Sequence, residues 1–177
     1  ARSHLPARYT RRMGAPRVQR GSLLAEYLAA LPDGLHSYPE SKCKASVIRG
    51  ALDALPDRLD LRDMPSILAE FFETPPPPSA WLPETLCMAT YLTVADQFFP
   101  DDDEGYGDWV YSVGKAVFAS PMYRILMFVA SPARLARGAE RRWTAFHRGS
   151  EYKLTLKDNG TDSVIRYSPY LFPRQGV

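Results

Sequence analysis

The feature that most constrains the fold of this chain is the placement of its prolines. The 177 residues include 16 prolines, and four of them form one run at 75–78. Proline has no backbone N–H and a fixed φ, so it ends a helix or begins one but rarely lies inside one. Pro32 and Pro100 follow apolar segments, whereas Pro121 and Pro132 each follow a serine and suit a first helical turn. The prolines therefore predict several short helices.

Apolar spacing indicates what lies between the prolines. Residues three or four apart recur along most of the chain, for example in 22–31, 40–55 and 132–147, which predicts amphipathic helices. The pattern changes near the C-terminal end, where EYKLTLKD and TDSVIRYS alternate between apolar and polar residues around an Asn-Gly turn. We predict an α+β fold, with a mainly helical body of about six helices closed by a small C-terminal antiparallel β-sheet.

Charge is distributed unevenly, although the formal net charge is only +2. Residues 1–25 carry six arginines and no acid, residues 26–108 carry 16 acids against five bases, and residues 109–177 carry 11 bases against four acids. Such a split predicts complementary contacts within the fold or between subunits, as in a homodimer, or a basic surface for an acidic partner. Residues 1–20 lack an apolar period and are interpreted as a basic arm, and residues 21–177 as a single domain.

Motifs for catalysis and metal binding do not occur in the sequence. The chain has no nucleophile elbow and no glycine-rich phosphate loop. The acidic stretch 101–105 has no glutamate where a calcium loop requires one. The three histidines, none of them at ligand spacing from another metal-binding side chain, are His4, His36 and His147. We therefore expect no metal, no cofactor and no enzymatic activity.

Cysteine usage and hydropathy bear on location. Cys43 and Cys87 match no zinc or redox spacing, and no segment resembles a signal peptide or a disulfide framework. These features predict a reducing, cytoplasmic location. The longest nearly apolar run, near 125–130, is shorter than the roughly 20 residues that a membrane span needs, so we expect no such span.

An arginine-rich segment, SPARLARGAERRWTAFHRGS at 131–150, provides the first candidate site. If the predicted helix 132–147 extends through the arginine-rich segment, one helical face carries four arginines and another face carries the apolar residues. Guanidinium groups bind carboxylates and phosphates in a bidentate manner. The predicted anion- or partner-binding residues are Arg134, Arg137, Arg141 and Arg148. An ordinary solvated helix face is the alternative interpretation.

Large aromatic residues provide the second candidate site. The chain has three tryptophans, ten tyrosines and eight phenylalanines, enough to line an apolar pocket between helices. The predicted pocket residues are Trp81, Trp109, Trp143 and Phe146. Ordinary core packing is the alternative.

The order of several motifs resembles a paralogous family of unknown function from myxobacteria. The matching stretches are RGSLL at 20–24, WLPE at 81–84, YGDWVYSVGKAVFASP at 106–121 and SPARLARGAERRWTAFHRGSEYKL at 131–154. That family is distantly similar to the superfamily of haem-based nitric-oxide sensors, vinyl-reductase-type domains and vesicle-tethering subunits. The resemblance implies a helical body with a small antiparallel sheet that binds small apolar ligands or partner proteins. The haem sensors use a proximal histidine and a Y-x-S-x-R stretch, which is absent here, so haem is disfavoured.

Three functional hypotheses follow. The first is a non-enzymatic signalling or regulatory domain that binds a small apolar ligand or an acidic partner protein. The second is a nucleic-acid-binding regulator that uses the basic arm and the arginine face. This hypothesis is weakened because the aromatic residues follow the apolar stripe rather than forming an exposed platform on which bases could stack. The third is a hydrolase or transferase whose residues converge only in the folded chain.

Overall fold

The computed structural model of the chain describes residues 21–118, 138–157 and 160–167. Within these residues the helices are α1 (Leu23–Ala30), α2 (Ala45–Asp53), α3 (Ser66–Glu73), α4 (Glu84–Phe98), α5 (Asp103–Phe118) and α6 (Ala139–Phe146). The strands are β1 (Lys42–Lys44), β2 (Trp81–Pro83), β3 (His147–Arg148), β4 (Ser150–Lys157) and β5 (Gly160–Tyr167). The predicted α+β architecture with a mainly helical body is confirmed. The predicted arm 1–20 and the predicted helix 121–130 lie outside the described residues.

Helix α4 is the centre of the core. Ten of its fifteen residues are buried, on every side of the helix, so it lacks the single apolar face that the amphipathic pattern of its sequence predicts. Threonines are tolerated inside because their hydroxyl groups find backbone acceptors: Thr90 Oγ1 donates to the Leu86 carbonyl at 2.8 Å, and Thr93 Oγ1 donates to the Ala89 carbonyl at 2.7 Å. Satisfied hydroxyl groups add little penalty to burial.

Helix α1 is attached to α4 through its N-terminus. Ser22 caps α1 by accepting a hydrogen bond from the Ala25 N–H at 3.1 Å. Asp96 of α4 accepts hydrogen bonds from the backbone N–H groups of Leu23 and Leu24 at 2.9 and 3.0 Å. A carboxylate in this position compensates both the unpaired N–H groups and the positive end of the helix dipole.

A three-stranded antiparallel sheet, in the order β2-β1-β3, packs against α4. The predicted helix 40–55 is wrong at its start, because residues 42–44 form β1 and the helix begins only at Ala45. The local alternation explains the strand, since Cys43 is buried while Lys42 and Lys44 on either side are partly exposed. Side chains in a strand point to opposite faces with a period of two.

The acidic start of α5 also differs from the sequence prediction. Residues 101–108 are expected to form a polar turn with Asp108 as a helix cap, but α5 already begins at Asp103. Asp102 accepts a hydrogen bond from the Gly105 N–H at 3.1 Å, and acidic residues occupy the first turn of the helix. Carboxylates are favourable there because they face the positive end of the helix dipole.

The C-terminal hairpin is confirmed. β4 and β5 pair antiparallel over eight residues each, from Ser150 opposite Tyr167 to Lys157 opposite Gly160. The hairpin joins the body through Gly149, which has a φ of +71°. A Cβ at this position would lie 2.8 Å from the Glu40 carbonyl oxygen, so glycine is required both for its conformation and for this close approach.

The two cysteines meet in the core. Cys43 on β1 and Cys87 on α4 are paired through their sulfur atoms, with their Cα atoms 7.6 Å apart, and both residues are buried. Their separation of 44 residues in the sequence gives no indication of this contact. The cytoplasmic location stays a prediction. No helix in the described part of the chain is both long and apolar enough to cross a bilayer.

Candidate functional site: a cation–aromatic sheet face

The outer face of the three-stranded sheet carries the candidate site. Residues directly opposite each other in antiparallel strands point to the same face. Lys42 is opposite both Pro83 and Arg148, and Lys44 is opposite Trp81, so these residues share one face. Phe146, the last residue of α6, lies beside them. We call Lys42, Lys44, Trp81, Phe146 and Arg148 the cation–aromatic face.

Aromatic rings hold two of the three cations in place. The guanidinium carbon of Arg148 lies 3.9 Å from the centre of the Trp81 ring. The Lys44 Nζ lies 5.5 Å from the Trp81 ring and 5.7 Å from the Phe146 ring. These are cation–π distances, and such contacts contribute about 0.5–1 kcal/mol each at exposed sites. The rings fix the aliphatic stems and the charged groups without neutralising them.

The cations of this face lack carboxylate partners among the described residues. Other cations do have them: Arg49 Nε lies 3.6 Å from an Asp53 oxygen, and Arg62 donates to both carboxylate oxygens of Asp60. The hydrogen bonds from Arg62 hold the pKa of Asp60 down at about 2. Within the described ranges, no comparable ion pair involves Lys42, Lys44 or Arg148. The face therefore presents positive charge that its own described surroundings do not compensate.

The inner face of the same sheet is buried and contains a polar pair. Glu84, the first residue of α4, places Oε2 at 3.4 Å from Nδ1 of His147 on β3, and both residues are buried. The Trp143 ring stacks on the His147 ring with 3.7 Å between centroids and 7° between planes. Trp143 Nε1 also donates to Ser150 Oγ at 3.0 Å. These contacts fix β3 to the body and so position Arg148 on the outer face.

The predicted arginine face is only partly within the described residues. Arg134 and Arg137 lie outside them. Arg141 is exposed on α6, but α6 ends at Phe146, so the prediction that Arg148 shares a helical face with Arg141 is wrong. The helix ends there because His147 is drawn into the sheet opposite Cys43. Arg148 lies opposite Lys42 and over the Trp81 ring, so its neighbours are Lys42 and Lys44 rather than helical arginines, and its role in anion binding stays a prediction.

The predicted apolar pocket does not form as one site. Trp109 is buried among Tyr91, Phe99 and Tyr106, with ring centroids 5.9–6.2 Å from its own. Its Nε1 donates to the Ala54 carbonyl at 2.8 Å. Burial raises the pKa of Tyr106 to about 12, as expected for a phenol inside this cluster.

The other three predicted pocket residues lie elsewhere. Trp143 stacks on His147, and Trp81 and Phe146 belong to the cation–aromatic face. A separate cleft of about 310 Å³ lies beside the N-terminus of α1, and none of the four predicted pocket residues lines it. Its walls include the carboxylates of Asp96, Asp101 and Asp103.

Several residues of the site were missed by the sequence prediction. Lys42 and Lys44 fell inside a predicted helix, although the alternation Lys-Cys-Lys is a strand signal. Glu84 has no local signal, because its partner His147 lies 63 residues away. In the described residues, no group of three or more histidine, cysteine, aspartate or glutamate side chains is arranged to hold a metal ion.

Comparisons with protein-family models, with curated proteins and with solved structures return no match. The resemblance to the myxobacterial family and to the nitric-oxide-sensor superfamily therefore stays a prediction from the sequence motifs. The functional inference depends on the geometry of the site.

Proposed function

We propose that this chain is a non-enzymatic regulatory domain that binds an acidic partner protein on its cation–aromatic face. The observation that carries the proposal is the placement of three cations on one sheet face without carboxylate partners among the described residues. Cationic surfaces of this kind attract acidic partners and orient them during the encounter.

The aromatic rings favour binding in a second way. A long cationic side chain loses rotamer freedom when it binds, and this loss opposes association. Arg148 is already stacked on Trp81, and Lys44 already lies between two rings, so part of that loss is incurred on folding. Arginine can then offer its planar guanidinium edge to a carboxylate. Fixed cations of this kind suit a partner with a fixed pattern of carboxylates, such as a folded protein or an acidic peptide.

Nucleic acid is the second candidate, because phosphates also bind to cations on a sheet. Sheet-based nucleic-acid binders, however, stack bases on open aromatic rings. Here the Trp81 ring is covered by Arg148, and the Phe146 ring lies under Lys44. The charged groups are available to a ligand and the ring faces are occupied, which favours carboxylates over bases. A small apolar ligand has less support, since the four residues predicted to line its pocket are dispersed.

The test is a charge reversal on the cation–aromatic face. A variant with Lys42→Glu, Lys44→Glu and Arg148→Glu is titrated with a capped oligoglutamate peptide and, separately, with a single-stranded oligonucleotide of equal charge. We expect the variant to lose about tenfold or more in affinity for oligoglutamate. Equal affinity of the variant and the unaltered chain for the peptide, or no binding by either, would contradict the proposal.

A matched control separates the effect of the cation–aromatic face from the effect of net charge. Arg49, Arg58 and Lys115 are exposed cations outside the cation–aromatic face, and replacing all three by glutamate changes the net charge by the same amount. We expect this control to retain most of the affinity for oligoglutamate. If the oligonucleotide binds more tightly than the peptide and its affinity falls more steeply with salt, the nucleic-acid candidate replaces the protein partner.

A further inference from the structure

The outer edge of β5 is a second surface that needs an explanation. Among the described residues β5 pairs only with β4, in a two-stranded sheet. Val164 and Ile165 on β5 are 48% and 44% exposed, and Asp162 and Arg166 are exposed as well. A long strand that has exposed β-branched residues, and whose second edge is unpaired within the described part of the chain, is a template for pairing with another strand. The side of the hairpin that carries Tyr152 packs on Trp143 of α6, which leaves the opposite side facing outward.

The sequence of β5 is complementary to itself. Asp162, Val164 and Arg166 alternate and therefore point to the same face of the strand. When two copies of β5 pair antiparallel about a two-fold axis at Val164, Asp162 of each copy lies opposite Arg166 of the other. The two valines face each other at the axis. One twofold contact thus contains an apolar pair flanked by two pairs of opposite charge, an arrangement that stabilises cross-strand contacts.

Neighbouring registers lack this match. A shift by two residues in either direction places Val164 opposite Asp162 or opposite Arg166, and the pairing of opposite charges is lost. A shift by one residue places Asp162, Val164 and Arg166 of the two copies on opposite faces of the sheet. The hairpin itself adds a further contribution, because Glu151 of β4 is already opposite Arg166. In the matched register Arg166 lies between Glu151 of its own chain and Asp162 of the second copy.

We propose that two copies of this chain associate through their β5 edges and form a continuous four-stranded antiparallel sheet, β4-β5-β5-β4, across a two-fold axis. We assign a second copy to the outer edge of β5 because the strand carries its own complement. A contact of this type is isologous, so it closes after two copies and does not propagate into a fibre. The proposal does not depend on the cation–aromatic face.

The test uses two charge-changing variants, each of which should weaken dimerisation alone but restore it when the two are mixed. Asp162→Lys places lysine opposite Arg166 in a homodimer, and Arg166→Glu places glutamate opposite Asp162. We expect each variant alone to dimerise about tenfold or more weakly than the unaltered chain, because two attractive pairs become repulsive. Mixed in equal amounts, the two variants should form a heterodimer with affinity near that of the unaltered chain, since lysine then meets glutamate and Arg166 meets Asp162.

Sedimentation equilibrium reports the mass in each case. Val164→Asp provides an independent test, because it places two carboxylates against each other at the axis, and we expect it to be monomeric with an unchanged circular dichroism spectrum. Lys153→Gln, on the outward face of β4, is the matched control and should leave the dimer intact. A monomeric unaltered chain would overturn the proposal. A dimer that survives Val164→Asp, or variants that fail to associate on mixing, would overturn it as well.

Discussion

The inner and outer faces of the three-stranded sheet are built from alternate residues of the same short strands, and they have opposite properties. On the inner face Cys43, Leu82 and His147 are 0%, 8% and 9% exposed and contact the core. On the outer face Lys44 and Arg148 lie over the Trp81 ring and keep their charges uncompensated among the described residues. A period of two thus separates the residues that hold the fold together from those that we propose bind a partner.

The largest difference between the faces is expected in stability. Leu82→Ala removes a buried side chain and leaves a cavity, so we expect a loss of about 3 kcal/mol in the free energy of unfolding. Lys42→Ala, on the outer face, should change the free energy of unfolding by less than about 0.5 kcal/mol. Urea denaturation of the two variants measures both values. Similar losses of unfolding free energy in the two variants would show that the outer face contributes to stability as much as the inner face does.

A substitution at Gly149, between β3 and the hairpin, tests how closely the backbone packs beside the three-stranded sheet. A Cβ at this position meets the backbone of Glu40 and Ser41 at 2.8–2.9 Å, and the φ of +71° is unfavourable for alanine. We expect Gly149→Ala to reduce the free energy of unfolding by about 2 kcal/mol.

The matched control for this substitution is Gly107→Ala. Gly107 lies within α5, is exposed and has no neighbouring atom within 4 Å of an added Cβ. Alanine should stabilise the helix there by up to about 1 kcal/mol. Thermal denaturation of the two variants therefore should show shifts of opposite sign, and a shift of the same sign in both would contradict the close packing of Gly149.

Alkaline pH extends the comparison to the buried aromatic residues. The folded chain holds the pKa of Tyr106 at about 12 against an ordinary value of 10.0, because burial disfavours the phenolate. A raised pKa means that the stabilisation is present below about pH 10 and is lost as pH rises through about 12. We expect the free energy of unfolding to fall over this range, and Tyr106→Phe to reduce that dependence. Tyr111, which is 71% exposed, gives the control variant Tyr111→Phe with no such reduction.

How far the sequence predicts this fold depends on the length of each element. The hairpin was predicted because two eight-residue strands repeat the period of two many times around an Asn-Gly turn. β1 was missed because three residues are too few to outweigh a helical spacing, and Cys43, Val47 and Ala51 happen to be four apart. Pro32 and Pro100 follow the ends of α1 and α4 as predicted, since proline acts through local backbone geometry, whereas Pro121 and Pro132 lie outside the described residues.

The candidate site was less predictable because long-range contacts build it. β1 and β2 are joined only in the folded chain, so no local pattern indicates that Lys44 and Trp81 are neighbours. Arg148 was assigned to a helix because its spacing from Arg141 is helical. The helix stops earlier because His147 pairs in the sheet opposite Cys43, a residue far away in the sequence. The sequence prediction therefore includes Trp81, Phe146 and Arg148 among its site residues, but it misses Lys42 and Lys44 and the grouping of all five.

The smallest expected effect on stability accompanies a clear effect on binding. Lys44→Met keeps most of the aliphatic stem of the side chain between Trp81 and Phe146 but removes the charge. We expect the free energy of unfolding to change by less than about 0.5 kcal/mol. The affinity for oligoglutamate should fall by a few fold, on the order of one exposed ion pair. A large loss of stability would instead show that Lys44 supports the fold.

Nuclear magnetic resonance of the unaltered chain, titrated with capped oligoglutamate, tests the proposed binding face most directly. We predict that the largest chemical-shift changes cluster at Lys42, Lys44, Arg148 and the indole N–H of Trp81, while the inner-face signals of Cys43 and Leu82 change little. Changes that cluster instead around Arg141 on α6, or that spread evenly over all cations, would contradict the assignment of binding to the cation–aromatic face.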